Sequence, residues 1–401
     1  MSDAPYLEPG RIGALTLRNR LIRAPTGESM ASAQGEVTDA HLRLYANLAR
    51  GGAGLIITGH IYVEPRGQYA PYQLGLDHDR QIVGLRRVTE AVHNAGGSIF
   101  AELSHSGSQT VMSDHEPIAP SLIPNAIFAR APREMTITDI DDVIAAFGAA
   151  ATRARAAGFD GIHLHSGNGY LLSQFNSPLA NRRTDAWGGD AVRRGRFIHA
   201  VYEAVRAAVG NEMPVSARIG VADAIAGGLQ TEEGVERIQA LHAAGLDAVE
   251  VTYGLMNNYQ ENIRPYAGLT RRRALADGVV NRLLSRPVAE AYYRPFAKAV
   301  KARVAIPVIL VGGMRSTDVM ADVIDSGDAD FIAMARPMVR EPDLPRQLAA
   351  GRRGAVDCVS CNICLTYEGR DGLKCWRTSW SDLARHAYHR LLPERAKRQS
   401  P

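Results

Sequence analysis

Two groups of residues in this sequence have the types and spacing to do chemistry. The first is His165, Asn168 and Tyr170, in "GIHLHSGNGYLL". An imidazole N–H and a carboxamide N–H aimed at one point can hold a carbonyl or nitro oxygen. Two such bonds polarise a conjugated C=C for hydride attack, by the logic of an oxyanion hole. A neighbouring phenol can deliver the matching proton. Taken singly, a His or Asn in such a stretch is equally well a satisfied loop residue. The second group is Cys358, Cys361, Cys364 and Cys375, all the cysteines in 401 residues, spaced C-x2-C-x2-C-x10-C. Free buried thiols have no reason to crowd at intervals of three. Zinc sites usually pair two C-x2-C units across a long gap. Three thiolates in quick succession plus a remote fourth suit a [4Fe–4S] cubane.

Such side chains need a scaffold, and the sequence alternates two kinds of segment. Short apolar runs read as strands: "RLIRAP" (20–25), "AGLIITG" (53–59), "SIFAELS" (98–104), "GIHLHS" (161–166), "VSARIG" (215–220), "AVEVTYG" (248–254), "PVILVGG" (307–313) and "FIAMARP" (331–337). Between them lie amphipathic stretches that open on Ser, Thr or Asp and close on Gly, such as "TEEGVERIQALHAAG". Near-continuous apolar strands alternating with helices indicate a parallel sheet with its outer face covered. Eight repeats predict a (β/α)8 TIM barrel rather than a doubly wound sheet, and no GxGxxG follows the first strand. Barrel chemistry sits at the C-terminal ends of the strands. Those ends carry Pro25–Thr26, His60, Glu102, His165, Arg218, Tyr253, Gly313 and Arg336. Polar residues on apolar strands need partners or a ligand, and eight together read as the lining of a site.

Composition narrows the class. The chain is 46% hydrophobic with a formal net charge of +4, so it can bury a large core. Its basic runs, "TRRRA", "GRRG" and "HRLLPERAKRQ", have no interleaved aromatics for base stacking and read as solvated faces rather than a nucleic-acid surface. No apolar run approaches the ~18 residues of a membrane span, and "MSDAPYLEPGRIG" does not read as a signal peptide. A cytoplasmic protein without a membrane role is expected, with homo-oligomerisation left open.

The segment "GFDGIHLHSGNGYLLSQFNSPLANRRTDAWGGDAVRRGRF" (158–197) resembles the signature of the old yellow enzyme family of FMN-dependent oxidoreductases. The likeness extends in order through "LRNRLIRAPTGESM", "GLIITGHIYVEPRGQ", "AELSHSG", "VGGMRS" and "MARPMVREPDLP", over about residues 5–350. It implies that Ala24, Pro25, Thr26 and Gly27 lie along the flavin ring beside His60. It further implies that Glu102 faces the pyrimidine edge and that Arg218 approaches N1 and the C2 oxygen. Gly313, Met314, Ala335 and Arg336 would cradle the phosphate, where barrels commonly bind one. A cation at N1 stabilises reduced flavin. Many ene-reductases have Gln where this chain has Glu102, so a lower flavin potential is expected here; a redox titration in which Glu102→Gln brings no rise refutes it. Gly27 stands where a ring-tuning Thr or Cys is frequent, and Ser29 where some members place a Tyr.

The cysteines resemble those of the dienoyl-CoA reductase and trimethylamine dehydrogenase branch, which carries a [4Fe–4S] cluster after the barrel and then a nucleotide-binding module. Only 26 residues follow Cys375 here, and "SWSDLARHAYHRLLPERAKRQS" reads as a basic helical tail. The expected organisation is an FMN barrel over 1–350 and an iron–sulfur segment with tail over 351–401. Electrons would come from NAD(P)H directly or pass between the cluster and a partner such as a ferredoxin, an electron-transfer flavoprotein or a reductase subunit. The expected reaction is hydride transfer between reduced flavin and an activated C=C: an enone, enoate or dienoyl thioester. The competing expectation is an amine dehydrogenase, with Tyr253, Tyr259, Tyr266 and Trp376 as candidates for a cation cage. A redox protein without catalysis fits an intact His–Asn–Tyr triplet poorly. The loops over 105–138 and 253–300, which would set the substrate, carry no motif.

Overall fold

The computed structural model describes residues 4–124, 130–256, 290–367, 372–381 and 384. Eight parallel strands form its centre: β1 (Leu21–Arg23), β2 (Leu55–Ile57), β3 (Ile99–Ser104), β4 (Gly161–Ser166), β5 (Val215–Ala222), β6 (Ala248–Tyr253), β7 (Val308–Leu310) and β8 (Phe331–Met334). Each pairs with the next, and β8 returns to β1 through Ile332↔Leu21 and Met334↔Arg23. The sheet is closed. All eight expected strands are present, with frayed ends trimmed, and the expected (β/α)8 barrel is the fold.

Alternation along each strand sorts the apolar residues into two clusters. Outward residues such as Ile162, Leu164, Val249, Val251 and Leu310 pack beneath the helices. These include α1 (Asp39–Arg50), α2 (Arg80–His93), α3 (Ile137–Ala156), α4 (Ala191–Val209), α5 (Thr231–Ala243), α6 (Arg294–Lys301) and α7 (Thr317–Asp325). Thr136 caps α3, accepting from the Asp139 N–H at 3.1 Å, and Asp190 caps α4 through the Arg193 N–H at 2.8 Å. Inward residues Ile22, Leu55, Ile57, Phe100, Ala248, Ile309, Phe331 and Ala333 fill the lower barrel.

A hairpin, Gly10–Ile12 with Leu15–Leu17, plugs the bottom by adding Ile12 and Leu17 to that inner cluster. Bulky rings there demand small neighbours. A side chain at Gly161 would meet the Phe100 ring at 2.4 Å, and one at Gly10 the Phe331 ring at 2.6 Å.

After the barrel, the chain folds back over the β7 and β8 ends. The Val356 N–H donates to Arg315 O at 2.8 Å, Ser316 bridges Ala355, and the Leu373 N–H donates to Glu28 O at 2.8 Å. Val356 joins the outer core. The tail expected over 379–400 falls mostly outside the described residues, as do Tyr259, Tyr266 and the 270–274 arginine run. No described helix is long and apolar enough to cross a membrane.

Candidate active site

Above the apolar floor the inward residues turn polar. The strand register sets Glu102 beside His163, His165 beside Arg218, and Arg218 beside Glu250. Glu102 Oε1 lies 2.9 Å from His165 Nδ1. Arg218 donates from Nε at 3.1 Å and from Nη2 at 2.5 Å to Glu250 Oε1. His163 Nδ1 meets Ser216 Oγ at 2.8 Å, with its Nε2 3.4 Å from Glu250 Oε2. Burial works against each of these charges, and pairing outweighs it. Although burial pushes the Glu102 carboxyl up, His165, Arg218 and His163 hold it at about 2. Burial likewise raises Glu250, and Arg218 and His163 bring it below its ordinary value. For His165, burial lowers proton affinity and outweighs the attraction of Glu102, with Arg218 and His60 adding to the lowering, which favours the neutral ring.

The loop after β4 is pinned from two sides. Asn168 has a left-handed backbone, φ 58°. Its N–H donates to Tyr253 O at 2.9 Å, its Nδ2 donates to Thr252 Oγ1 at 3.1 Å, and its O accepts from Gln109 Nε2 at 3.1 Å. This turn brings the Tyr170 ring edge-on to His165, centroids 4.5 Å apart. His60 meets Tyr170 at 5.5 Å and Tyr69 at 5.8 Å, while Gln73 Nε2 lies 2.7 Å from His60 Nδ1. The expected triplet thus gathers at one end of the barrel, walled by His60 and Tyr69.

Beside it opens a cavity of about 180 Å³, lined by Pro25, Thr26, Gly27, Arg218, Gly313, Met314, Ala335 and Arg336 among others. Gly312 and Gly313 turn there with φ 103° and 77°, a backbone that favours glycine. A guanidinium, a glycine turn and a small-residue wall fit a phosphorylated ring such as FMN. Ala24, His60 and Glu102, also expected along the flavin, do not line this cavity. Ala24 is sealed in the inner apolar cluster. His60 lines a narrow neighbouring cleft with Gly27, Ser29 and Tyr69. Glu102 is 1% exposed and is engaged by His165, because a carboxylate in this dry layer needs a donor.

Sequence reasoning overlooked the support beneath that wall. Glu28 Oε1 accepts from Arg23 Nη2 at 3.0 Å, the Tyr45 hydroxyl at 2.5 Å and the Gly59 N–H at 3.1 Å. Arg23 also donates to Thr26 Oγ1 at 2.7 Å. This buried group fixes the Pro25–Ser29 turn against the end of β2. An arginine inside the apolar run "RLIRAP" was its one visible signal. Glu250 was equally visible, as a carboxylate inside "AVEVTYG".

The four cysteines are half-buried, and Ser360 and Leu365 of their segment line the cavity. Burial pushes the Cys364 thiol up to about 12; Arg336 opposes this, and the charges of Cys358, Cys361 and Cys375 add to it. All four are therefore within electrostatic reach. Ser360 and Asn362 turn the segment with φ 53° and 60°. Arg315 donates to Ser360 Oγ at 2.8 Å and to Cys358 O at 2.5 Å, and Arg336 donates to Asn362 Oδ1. Among the described residues no three His, Cys, Asp or Glu side chains stand where one metal ion would be held. Each iron of a cubane takes its own thiolate, so its four ligands stand farther apart than those of one ion. Of the cage candidates, Tyr253 packs edge-on to Tyr293 and Phe296 at 5.4 and 5.2 Å. Trp376 lies under Lys374.

The closed strands, with a polar site and a glycine turn at their C-terminal ends, define a (β/α)8 barrel. The chain belongs to the NADH:flavin oxidoreductase / NADH oxidase family, whose model matches residues 6–354. It is 36% identical over 370 residues to an NADH oxidase of Thermoanaerobacter brockii, covering 90% of this chain and 54% of that protein. It is 33% identical to a 4,4'-dithiodibutanoate disulfide reductase of Rhodococcus erythropolis over 91% of this chain and 94% of the relative. Among solved structures, a 2-naphthoyl-CoA reductase complexed with 2-naphthoyl-CoA superposes with a TM-score of 0.82 at 25% identity, covering 93% of this chain and 56% of that one. The chain spans about half the length of the first and third of these.

Proposed function

We propose that this chain is an FMN-dependent oxidoreductase that reduces a C=C conjugated to a carbonyl, with NADH or NADPH as the ultimate donor. The observation that carries this reading is the convergence of His165, Asn168 and Tyr170 beside a cavity whose wall suits a flavin phosphate. Bound FMN supplies the hydride. His165 and Asn168 hold the substrate oxygen, drawing electron density away from the β-carbon. Tyr170 delivers the proton to the α-carbon. Pro25, Thr26 and Gly27 form the ring wall, Arg218 the cation near it, and Gly313, Met314, Ala335 and Arg336 the phosphate cradle. The likeness to 2-naphthoyl-CoA reductase supports a conjugated thioester as the substrate class, and the NADH oxidase relative supports the nicotinamide donor.

Within the same reading, Cys358, Cys361, Cys364 and Cys375 hold a [4Fe–4S] cluster in a segment over 351–401 that follows the barrel. Such a cluster moves single electrons, so an electron-transfer partner protein completes the path. The spacing and the two arginines at the cysteine loop support it, since Arg315 and Arg336 offset the negative charge of thiolate-bound iron. The test is an anaerobic absorbance spectrum with flavin, iron and zinc quantified, before and after NADH and NADPH. One FMN with about four iron per chain, oxidised again by a conjugated thioester, is the expected result. Flavin with zinc or without metal removes the cluster from the reading. Reduced flavin that no enone or conjugated thioester reoxidises removes the C=C chemistry.

A further inference from the structure

The protons of the barrel's polar layer do not match the role just given to His165. An ionised carboxylate only accepts hydrogen bonds, so the hydrogen between Glu102 Oε1 and His165 Nδ1 belongs to Nδ1. In a neutral ring Nε2 is then a lone pair. That nitrogen is buried and has no hydrogen-bond partner among the described residues. A lone pair repels a carbonyl or enolate oxygen. Asn168, whose Nδ2 also serves Thr252, stands ready as a donor.

The charges around the ring point to the remedy. His165 faces Glu102 on β3, Arg218 on β5 with Glu250 of β6 behind it, His163 on its own strand, His60 past β2 and the Tyr170 ring. Two carboxylates are set against one guanidinium. An arriving oxyanion adds a further negative charge beside His165, and negative charge raises an imidazole's proton affinity.

We propose that His165 takes up a proton at Nε2 when an anionic oxygen binds, and that Glu102 is the positioning residue that fixes the ring's tautomer and shares the imidazolium charge. The inference rests on the reading of His165 and Asn168 as the oxygen-holding pair. A ligand arriving as an anion draws its proton from solvent, becoming the partner of an imidazolium. A ligand arriving as a neutral hydroxyl compound brings its own proton to Nε2, and the net uptake is zero. The site is thereby selective for compounds that carry or develop an enolate-like oxygen.

The test is calorimetric titration of the flavin-loaded protein in buffers of different ionisation enthalpy, at a pH where 4-nitrophenol is ionised and phenol is not. The wild type is expected to take up about one proton per 4-nitrophenolate and close to none per phenol. Glu102→Gln can donate to Nδ1, leaving the hydrogen of the neutral ring on Nε2, so its uptake with 4-nitrophenolate falls close to zero. Equal counts for the two ligands in the wild type overturn the inference, and that comparison stands even if the variant does not fold. Undiminished uptake by Glu102→Gln overturns it as well. Failure of both ligands to bind, or binding untouched by Asn168→Ala, overturns the site reading and the inference with it.

Discussion

Asn168 and Tyr170 do separable jobs, and their substitutions should divide accordingly. Asn168→Ala removes one of two donors to the substrate oxygen, so turnover of a conjugated thioester should fall about 10²–10³-fold. Tyr170→Phe keeps the ring against His165 and removes only the proton, so binding should persist while turnover drops about 10²–10⁴-fold. Single-turnover flavin reoxidation checks both, and equal losses in binding and turnover for Tyr170→Phe count against its role. Glu102 also links the site to stability. Its carboxyl is held at about 2 against an ordinary 4.5, so it gives up its pairing when protonated. That contribution is fully present above pH 4.5 and is lost as pH falls towards 2. Unfolding free energy should therefore drop by about 3 kcal/mol from this group across that window. Glu102→Gln should flatten the curve in the window, and a wild-type slope retained in the variant rules this out.

At the scale of elements, the barrel depends on matching bulk with absence of bulk. Phe100 of β3 lies against Gly161 of β4, its register partner, and against the apolar floor that the hairpin closes. Phe100→Ala should cost about 3–5 kcal/mol, seen in urea denaturation as a lower midpoint with the slope unchanged. Gly161→Val should cost at least as much, because its side chain has no room beside the ring. The same elements show why so much was legible beforehand. Eight β-branched runs with capped helices between them announce a closed parallel sheet, and rules about strand ends then name His165, Arg218 and Arg336. What stayed hidden depends on register, which local spacing does not encode. That Glu102 takes His165 depends on a pairing across residues 102 and 165, and the Arg23–Glu28–Tyr45 group on α1 reaching the turn after β1. Arginine and glutamate inside apolar strands hinted that such partners exist without saying which.

At the scale of the whole molecule, the cysteine segment and the barrel share one wall. Ser360 and Leu365 line the same cavity as Pro25, Gly313 and Arg336, and Arg315 and Arg336 reach from the β7 and β8 ends to the backbone and side chains of residues 358–362. Anything that shapes the cysteine loop therefore shapes this cavity, the proposed seat of FMN. A cluster bound to the four thiolates would hold residues 358–364 in one conformation and keep that wall in place, so its removal should be felt by FMN. Cys364→Ser is the sharpest probe, because Leu365 follows directly and the thiol is the one most strongly affected by burial and by the other three cysteines. The variant should lose its iron and bind FMN about tenfold more weakly, equivalent to ~1.4 kcal/mol, measured by quenching of flavin fluorescence. The folded barrel should survive, since the core beneath the helices is built from other residues. Iron lost with flavin affinity intact makes the shared wall a matter of proximity alone. Iron retained in Cys364→Ser removes that thiol from the ligand set.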